Sequence, residues 1–240
     1  MRLDIYLVEK GYCETRSKSQ DIIKNGHITV NKEVIIKPAF IVTERDFVEI
    51  CTHGRIYVSR SANKLKQALI EFNISLHDLV VLDIGASTGG FTECALEEGA
   101  SFVYAVDVGK EQLHPSLRES SKVCSMERTD ARNLTKESFE KPIDFVCIDV
   151  SFISVRNILP SIVSLLYDNK ELVILVKPQF ELEQKYHNKK GIIKDKKLRI
   201  KALESVIEFA KELELKVLNY TQCSLAGRDG NIEYLLYLKK

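Results

Sequence analysis

The chain has 240 residues, 45% of them hydrophobic and 29% charged, which fits one or two globular domains with a proper core and excludes a disordered chain. Its formal net charge of +1 excludes capture of a polyanion by bulk charge, so any basic surface must be local. Six cysteines without CxxC spacing read as reduced core thiols rather than a disulfide framework, and the five histidines show no ligand spacing with them, so no metal is expected.

Met1 to Tyr6 carries an acid inside its apolar run and does not read as a secretion signal. A short helix is expected over Leu3–Val8. Glu14-Thr15-Arg16-Ser17 opens a second, which runs through Ile22 and Ile23 and stops at Asn25-Gly26, where glycine suits a left-handed cap. His27–Val30 reads as a strand, Asn31-Lys32 as a turn, Glu33–Ile36 as the partner strand and Phe47–Ile50 as a third. Residues 1–52 are thus expected to form a small α+β domain, and 53–59 a linker with His53-Gly54 as its flexible point.

Residues 60–240 read as the second domain. A helix over Arg60–Phe72 leads into alternating strands (Leu79–Ile84, Phe102–Val106, Val123–Met126, Phe145–Ile148, Leu172–Val176) and helices (Phe91–Glu98, Ile153–Leu166, Leu198–Leu213). Val217–Cys223 and Ile232–Leu238 close the chain as a strand pair. The alternation argues for a doubly wound α/β sheet. The longest apolar run, around Ile158–Tyr167, contains Pro160 and is far short of a membrane span, so a cytoplasmic protein without membrane contact is expected.

The sharpest local signal is Val80-Val81-Leu82-Asp83-Ile84-Gly85-Ala86-Ser87-Thr88-Gly89-Gly90-Phe91-Thr92, an apolar strand feeding a Gly-rich turn that opens a helix. Doubly wound sheets bind nucleotide-like ligands there, and glycine lets the backbone come close. No Gly-Lys-Ser/Thr follows, which excludes a phosphate P-loop, and Ser87 stands where GxGxxG needs its second glycine. Asp83, at the strand end, suits the amino group of an amino-acid cofactor. Asp107 ends the next strand and can accept both ribose hydroxyls of an adenosine. Asp130, before Ala131, follows the third strand within reach of an adenine amino group. Three such acids fit S-adenosylmethionine on a Rossmann-like class I methyltransferase sheet; the plainer alternative is that Asp83 and Asp107 cap helices.

The fourth strand ends Phe145-Val146-Cys147-Ile148-Asp149-Val150-Ser151-Phe152, without the Pro-Pro of base N-methylation, and Cys147 alternates with apolar residues as a core thiol would. Methylating a ribose 2′-hydroxyl needs a base for a weakly acidic proton, and a lysine serves when burial or neighbouring cations lower its pKa while carboxylates orient it. Lysines and carboxylates should then gather on strand ends. Lys177 follows the apolar strand Val173–Val176, Asp149 ends the preceding one, Lys64 sits in the entering helix and Glu233 in the last strand. Any one alone would be an ordinary solvated charge.

Together, Lys64, Asp149, Lys177 and Glu233 resemble the Lys-Asp-Lys-Glu tetrad of FtsJ-like ribose 2′-O-methyltransferases. Tyr57-Val58-Ser59-Arg60…Lys64-Leu65, the Gly85–Thr92 loop, Ser151-Phe152-Ile153-Ser154 and Val176-Lys177-Pro178-Gln179-Phe180-Glu181 resemble the TlyA family of rRNA methyltransferases, whose members often carry a hemolysin label. The resemblance spans essentially the whole chain; Arg60-Ser61 departs from it where relatives tend to have glycine. It implies Lys177 as general base, with Asp149 and Lys64 positioning it and Glu233 holding Lys64 or the ribose. The cofactor set is Asp83, Gly85, Ser87, Thr88, Gly89, Gly90, Phe91, Asp107, Asp130 and Ala131. The chain looks short at both ends beside longer members, which implies a cytidine of large-subunit rRNA as the target.

The first 50 residues resemble the small RNA-binding module of ribosomal protein S-four, pseudouridine synthases and tyrosyl-tRNA synthetases. Arg2, Arg16, Lys18, Lys24 and Lys32 are its RNA-facing candidates, although Met1–Lys37 carries only two net positive charges and composition alone would not point to RNA. Arg60, Lys189 and Lys190 are candidates in the second domain, the last two within a basic stretch from Lys185 to Lys201 that reads equally as a solvated helix start. Ribosomal RNA or ribosomal subunits are the expected partners of a monomer. Three rivals stand: an RNA-binding protein with an inactive methyltransferase domain, a base methyltransferase, and a membrane-damaging hemolysin, for which no spanning or barrel pattern is present.

Overall fold

In the computed structural model, residues 1–24, 26–50, 57–227 and 230–240 are described. The Asn25 half of the helix stop and the His53-Gly54 point of the linker lie outside the described residues. The chain divides into two units, Met1–Tyr57 and Val58–Lys240.

In the first unit, apolar residues at helical spacing make α1 (Leu3–Glu9) and α2 (Arg16–Lys24), whose Leu3, Leu7, Ile22 and Ile23 are buried. They pack against Ile28, Val30 and Val48 of β1 (Ile28–Val30) and β3 (Val48–Ile50). With β2 (Glu33–Val34) these strands form an antiparallel sheet of order β2-β1-β3. The partner strand expected over Glu33–Ile36 pairs only at Glu33 and Val34. Both side chains are exposed; Ile35 packs on the core and adds one hydrogen bond from its N–H to Ile28 O at 2.9 Å, and Pro38 beyond it has no N–H to offer a ladder.

Asp4, fully buried, ties the two helices together. Arg2 grips both its oxygens (2.9 and 3.0 Å), and Arg16 Nε and Gln20 Nε2 donate at 2.9 and 2.8 Å. The hydrogen bond from Arg2 is the largest of the forces that hold the Asp4 carboxyl far below the usual carboxylate range, against desolvation. A depressed folded-state pKa means stability that is fully present above the unfolded value of about 3.9 and is lost as pH falls below it. Asp4→Asn should therefore speed amide exchange across α1 and α2 at pH 7 in the full chain. The difference from the unchanged protein should narrow as pH falls below about 4.

The second unit carries a seven-stranded sheet. Its elements are α3 (Ala62–Glu71), β4 (Val80–Ile84), α4 (Gly90–Glu97), β5 (Phe102–Val106), α5 (Pro115–Arg118), β6 (Val123–Met126) and β7 (Phe145–Ile148), then α6 (Leu159–Leu165), β8 (Glu171–Val176), α7 (Pro178–Glu181), α8 (Lys196–Glu212), β9 (Lys216–Gln222) and β10 (Tyr234–Lys239). The strand order is β6-β5-β4-β7-β8-β10-β9, parallel from β6 to β8 and antiparallel at β10 and β9. Side chains alternate between faces. Val80, Leu82 and Ile84 join Leu159, Ile162, Leu203 and Val206 on the α6–α8 face. On the other face α3 and α4 pack on each other, and Phe72, just past α3, stacks on Tyr237 with ring centroids 5.5 Å apart. The order reverses between β4 and β7, which opens a crevice at their carboxyl ends.

The helix expected over Ile153–Leu166 is broken in two. Ser154 caps a 3-10 turn over Val155–Asn157, and α6 begins only at Leu159. Pro160 lacks an N–H and its ring crowds the carbonyl four residues earlier, so it is tolerated in the first turn of α6 and blocks a continuous helix. The basic stretch also divides: Lys185 lies in a 3-10 turn over Gln184–Tyr186, Lys189–Lys194 is loop, and Lys196 onward is α8, capped by Asp195 accepting from Lys197 N at 2.8 Å.

Candidate active site

The carboxyl edge of the sheet borders a cavity of about 800 Å³. Lys177 is the first residue after β8 and Asp149 the first after β7. Because β10 runs antiparallel to β8 with Tyr234 opposite Val176, Glu233, the residue just before β10, comes to the same edge. Glu233 thus precedes the strand rather than lying inside it, because the pairing begins at Tyr234. Lys64 reaches the cavity from the buried face of α3.

All four residues line this cavity. Lys64 Nζ donates to Glu233 Oε2 at 2.6 Å, with both side chains buried. Lys177 Nζ lies 2.6 Å from Asp149 Oδ1, at angles outside a hydrogen bond, and donates to Ser151 Oγ at 2.9 Å. Gln179 Nε2 approaches Glu233 Oε1 at 3.5 Å. The site thus holds two lysine–carboxylate pairs facing one space, with Ser151 a further polar partner that has no distinguishing signal in the sequence.

The loop after β4 forms the adjoining wall. Gly85 (φ +85°) and Ser87 line the cavity, and a methyl group on Gly85 would collide with the Asp149 carbonyl oxygen. Glycine is required there because the β4 and β7 loops touch. Thr88, Gly89, Gly90 and Phe91 do not line the cavity. Gly89 makes room for Leu113 and Leu117, Gly90 for Ser61 and Ala62, and Phe91 is buried, while Thr88 is exposed. Asp107 accepts from Ser87 N (2.8 Å) and Gly109 N (2.7 Å), which aims its carboxylate at the cavity with lone pairs to spare.

Asp130 and Ala131 line the cavity, but Asp130 is engaged by Arg132 through both oxygens, and the side-chain hydrogen bond holds its carboxyl at about 2. Its cap on the turn at Ala131–Asn133 is the plainer role. Asp83 lies behind the wall. Thr92 Oγ1 donates to Oδ2 at 2.7 Å, while the buried Oδ1 has no hydrogen-bond partner among the described residues. Desolvation, abetted by Asp149 and Asp107, pushes its carboxyl up to about 7. An orphaned buried carboxylate oxygen beside a Gly-lined wall fits a cationic ligand group.

Gln112, Phe152, Phe180, His187 and Asn231 also line the cavity. Phe152 and Phe180 fall in sequence blocks already singled out; Gln112 carries no signal in the sequence. Arg60 and Lys190 line the cavity and Lys189 is exposed beside it in sequence. In the first unit Arg2 and Arg16 are half-exposed and fixed by Asp4, Lys18 lies 3.6 Å from Glu14, and Lys24 and Lys32 are exposed.

A parallel sheet reversing at β4/β7, a Gly-lined loop at the reversal and an antiparallel last strand pair define a class I methyltransferase domain. Comparison with known proteins takes this further: the profile of the FtsJ-like methyltransferase family matches residues 57–240, and that of the S4 domain residues 1–48. Hemolysin A of Brachyspira hyodysenteriae is 44% identical over 238 residues, covering 99% of each chain. The 16S/23S rRNA (cytidine-2′-O)-methyltransferase TlyA of Mycobacterium tuberculosis is 38% identical over 99% of this chain and 89% of its own. The 23S rRNA (cytidine-2′-O)-methyltransferase TlyA of Campylobacter jejuni is 36% identical over the full length of both. The chain belongs to the FtsJ-like methyltransferases, with an S4 domain ahead of the catalytic domain.

Asp83 yields a pH test. Its raised pKa means that the empty site favours the protonated carboxyl below about 7, and a bound ammonium favours the ionised one. Affinity for S-adenosylmethionine should therefore rise as pH goes from 6 to 7.5, with proton release on binding. Calorimetry in buffers of different ionisation enthalpy measures both. Asp83→Asn should bind more weakly and lose this trend; the same trend in the variant would assign it to another group.

Proposed function

We propose that the protein transfers a methyl group from S-adenosylmethionine to the ribose 2′-hydroxyl of a cytidine in ribosomal RNA, with the large subunit as its substrate. The observation that carries this reading is the pairing of Lys64 with Glu233 and of Lys177 with Asp149 on one cavity beside the Gly85 loop. Carbon methylation of a base would need a thiol nucleophile, and Cys147 is fully buried in β7.

S-adenosylmethionine supplies an electrophilic methyl group when bound. Asp83 would balance its ammonium, Gly85 and Ser87 would lie along it, and Asp107 would accept its ribose hydroxyls, with Ala131 at the adenine side. Lys177, in its neutral form, takes the 2′-hydroxyl proton as the oxygen attacks. Ser151 fixes where Nζ sits, and Asp149 balances the charge that Lys177 gains. Glu233 holds Lys64 in place, so that Lys64 can donate to the ribose.

Arg2, Arg16, Lys18, Lys24 and Lys32 would meet RNA phosphates from the S4 domain, and Arg60, Lys189 and Lys190 from the catalytic domain. The large-subunit reading is supported by the full-length match to the Campylobacter relative, whose name specifies 23S rRNA. In this reading the enzyme works in the cytoplasm as a monomer without a metal. The hemolysin alternative finds no support in the fold: among the described residues no helix is long and apolar enough to cross a membrane.

The test is methylation of unmodified large and small ribosomal subunits with radiolabelled cofactor, followed by alkaline digestion. Label is expected in an alkali-resistant dinucleotide from the large subunit. Lys177→Ala should lower the rate by about 10²–10⁴-fold with cofactor affinity retained. Label in a mononucleotide would mean base methylation and overturn the assignment.

A further inference from the structure

We infer that Glu181 is a positioning residue for this reaction: it ties the loop after β7 to the segment after β8, and so sets where Lys177 and Ser151 meet the ribose. The inference rests on the 2′-O-methylation reading.

The two segments form one side of the cavity, and Asp149 of the β7 loop also touches Gly85. The β7 loop carries Asp149, Ser151 and Phe152; the β8 segment carries Lys177, Gln179 and Phe180. The tip of the β7 loop has little to anchor it. Ser151 is exposed, and Phe152 is 92% exposed with φ +65°, a left-handed conformation that bulky residues rarely adopt. Phe152 touches Phe180 in a tilted ring contact, centroids 5.2 Å apart.

A few residues on, the attachment becomes strong and polar. The side chain of Glu181 is 2% exposed. Its carboxylate accepts from Ser154 Oγ at 2.5 Å, Val155 N at 2.8 Å and Arg156 Nε at 3.3 Å. Arg156 Nη2 returns to the Glu181 carbonyl at 3.2 Å. All these donors belong to three consecutive residues of the β7 loop.

A carboxylate this buried is costly unless hydrogen-bonded, and a well-packed apolar side chain would often serve stability as well. What an apolar residue could not do is clamp three consecutive residues in one orientation. The clamp has a counterpart within the site, the 2.9 Å hydrogen bond from Lys177 to Ser151. Polar ties thus join the same two segments at both ends, from Lys177 to Ser151 and Asp149 at the reacting edge and from Glu181 behind it. Without the rear tie, the Lys177–Ser151 contact becomes the hinge on which the β7 loop moves. None of the contacts of Glu181 involves the Gly85 loop, Asp107 or Asp130, so the effect should fall on methyl transfer and spare the cofactor.

Full-length Glu181→Ala, Glu181→Gln and Ser154→Ala would be compared with the unchanged protein for S-adenosylmethionine Kd by calorimetry and for single-turnover 2′-O-methylation of large subunits. Glu181→Ala should bind cofactor within about twofold of the unchanged protein and methylate about 10²-fold more slowly, the scale of a misplacement near 1 Å. Glu181→Gln, which keeps one acceptor, and Ser154→Ala, which loses one donor, should fall between. Equal rates in all three variants would overturn the inference, as would a loss of cofactor affinity that matches the loss of rate. If Glu181→Ala does not fold, unchanged rates in the other two overturn it. Absence of 2′-O-methyl product from the unchanged protein would sink the functional reading and this inference with it; an active parent with indifferent variants would sink the inference alone.

Discussion

Tyr234 lies opposite Val176 in the antiparallel ladder between β10 and β8, and the catalytic arrangement depends on that register. Side chains alternate faces along a strand, so a slip of one residue would turn every β10 side chain to the opposite face. The slip is prevented by burial on both faces. Leu236 and Leu238 belong to the core under α6 and α8, while Tyr237 stacks on Phe72 beyond α3. With the register held, Glu233 arrives beside Lys64, a residue 169 positions away in the chain. Antiparallel direction matters as much. A parallel last strand would present its first residue at the opposite edge of the sheet, far from Lys177.

The four charges gathered this way are poor contributors to stability. Desolvating an ion pair costs several kcal/mol per ion, and the mutual attraction roughly offsets it, whereas removing one partner of a buried pair costs about 3–5 kcal/mol. Lys64–Glu233 and Lys177–Asp149 are therefore groups that the surrounding sheet tolerates for their chemistry. β7 and the last five residues of β8 are apolar and buried up to the residue before Asp149 and Lys177, which leaves these two ions at the ends of rigid elements, while Lys64 stands in the first turn of α3 and Glu233 just ahead of β10. Rigid placement is what a proton transfer in reach of one hydroxyl requires.

The Gly-rich loop divides its labour. Gly85 is glycine because the β7 loop passes against it, and Gly89 and Gly90 are glycine because helix side chains and the start of α3 pack there. Only the first faces the cavity. Asp83 belongs with the tetrad rather than with the glycines in physical terms, since it too is a buried charge lacking a full set of partners. The S4 domain solves the same problem differently: Asp4 is buried but saturated by Arg2, Arg16 and Gln20, and that saturation holds two arginines half-exposed on its surface.

Much of this was legible in the chain. Continuous apolar runs ending before Asp107, Asp149 or Lys177 mark buried strands whose next residue lines the cavity, and the Gly85 loop marks where the sheet reverses. These are local signals, written over ten residues or fewer. The tetrad could be picked out only by resemblance, because nothing local distinguishes Lys64 or Glu233 from a solvated charge. Tertiary structure alone decided three things. It placed Glu233 against Lys64 through strand direction and register. It set the neighbours of Gly89, Gly90 and Asp130, since the atoms that crowd them come from α3, the segment around α5, and Arg132. It brought Ser151 to Lys177 and Glu181 to Ser154, contacts between loops that follow different strands. The reason is common to all three: each depends on which distant segments share an edge of the sheet, and hydrophobic periodicity states that a strand is buried without stating its neighbour.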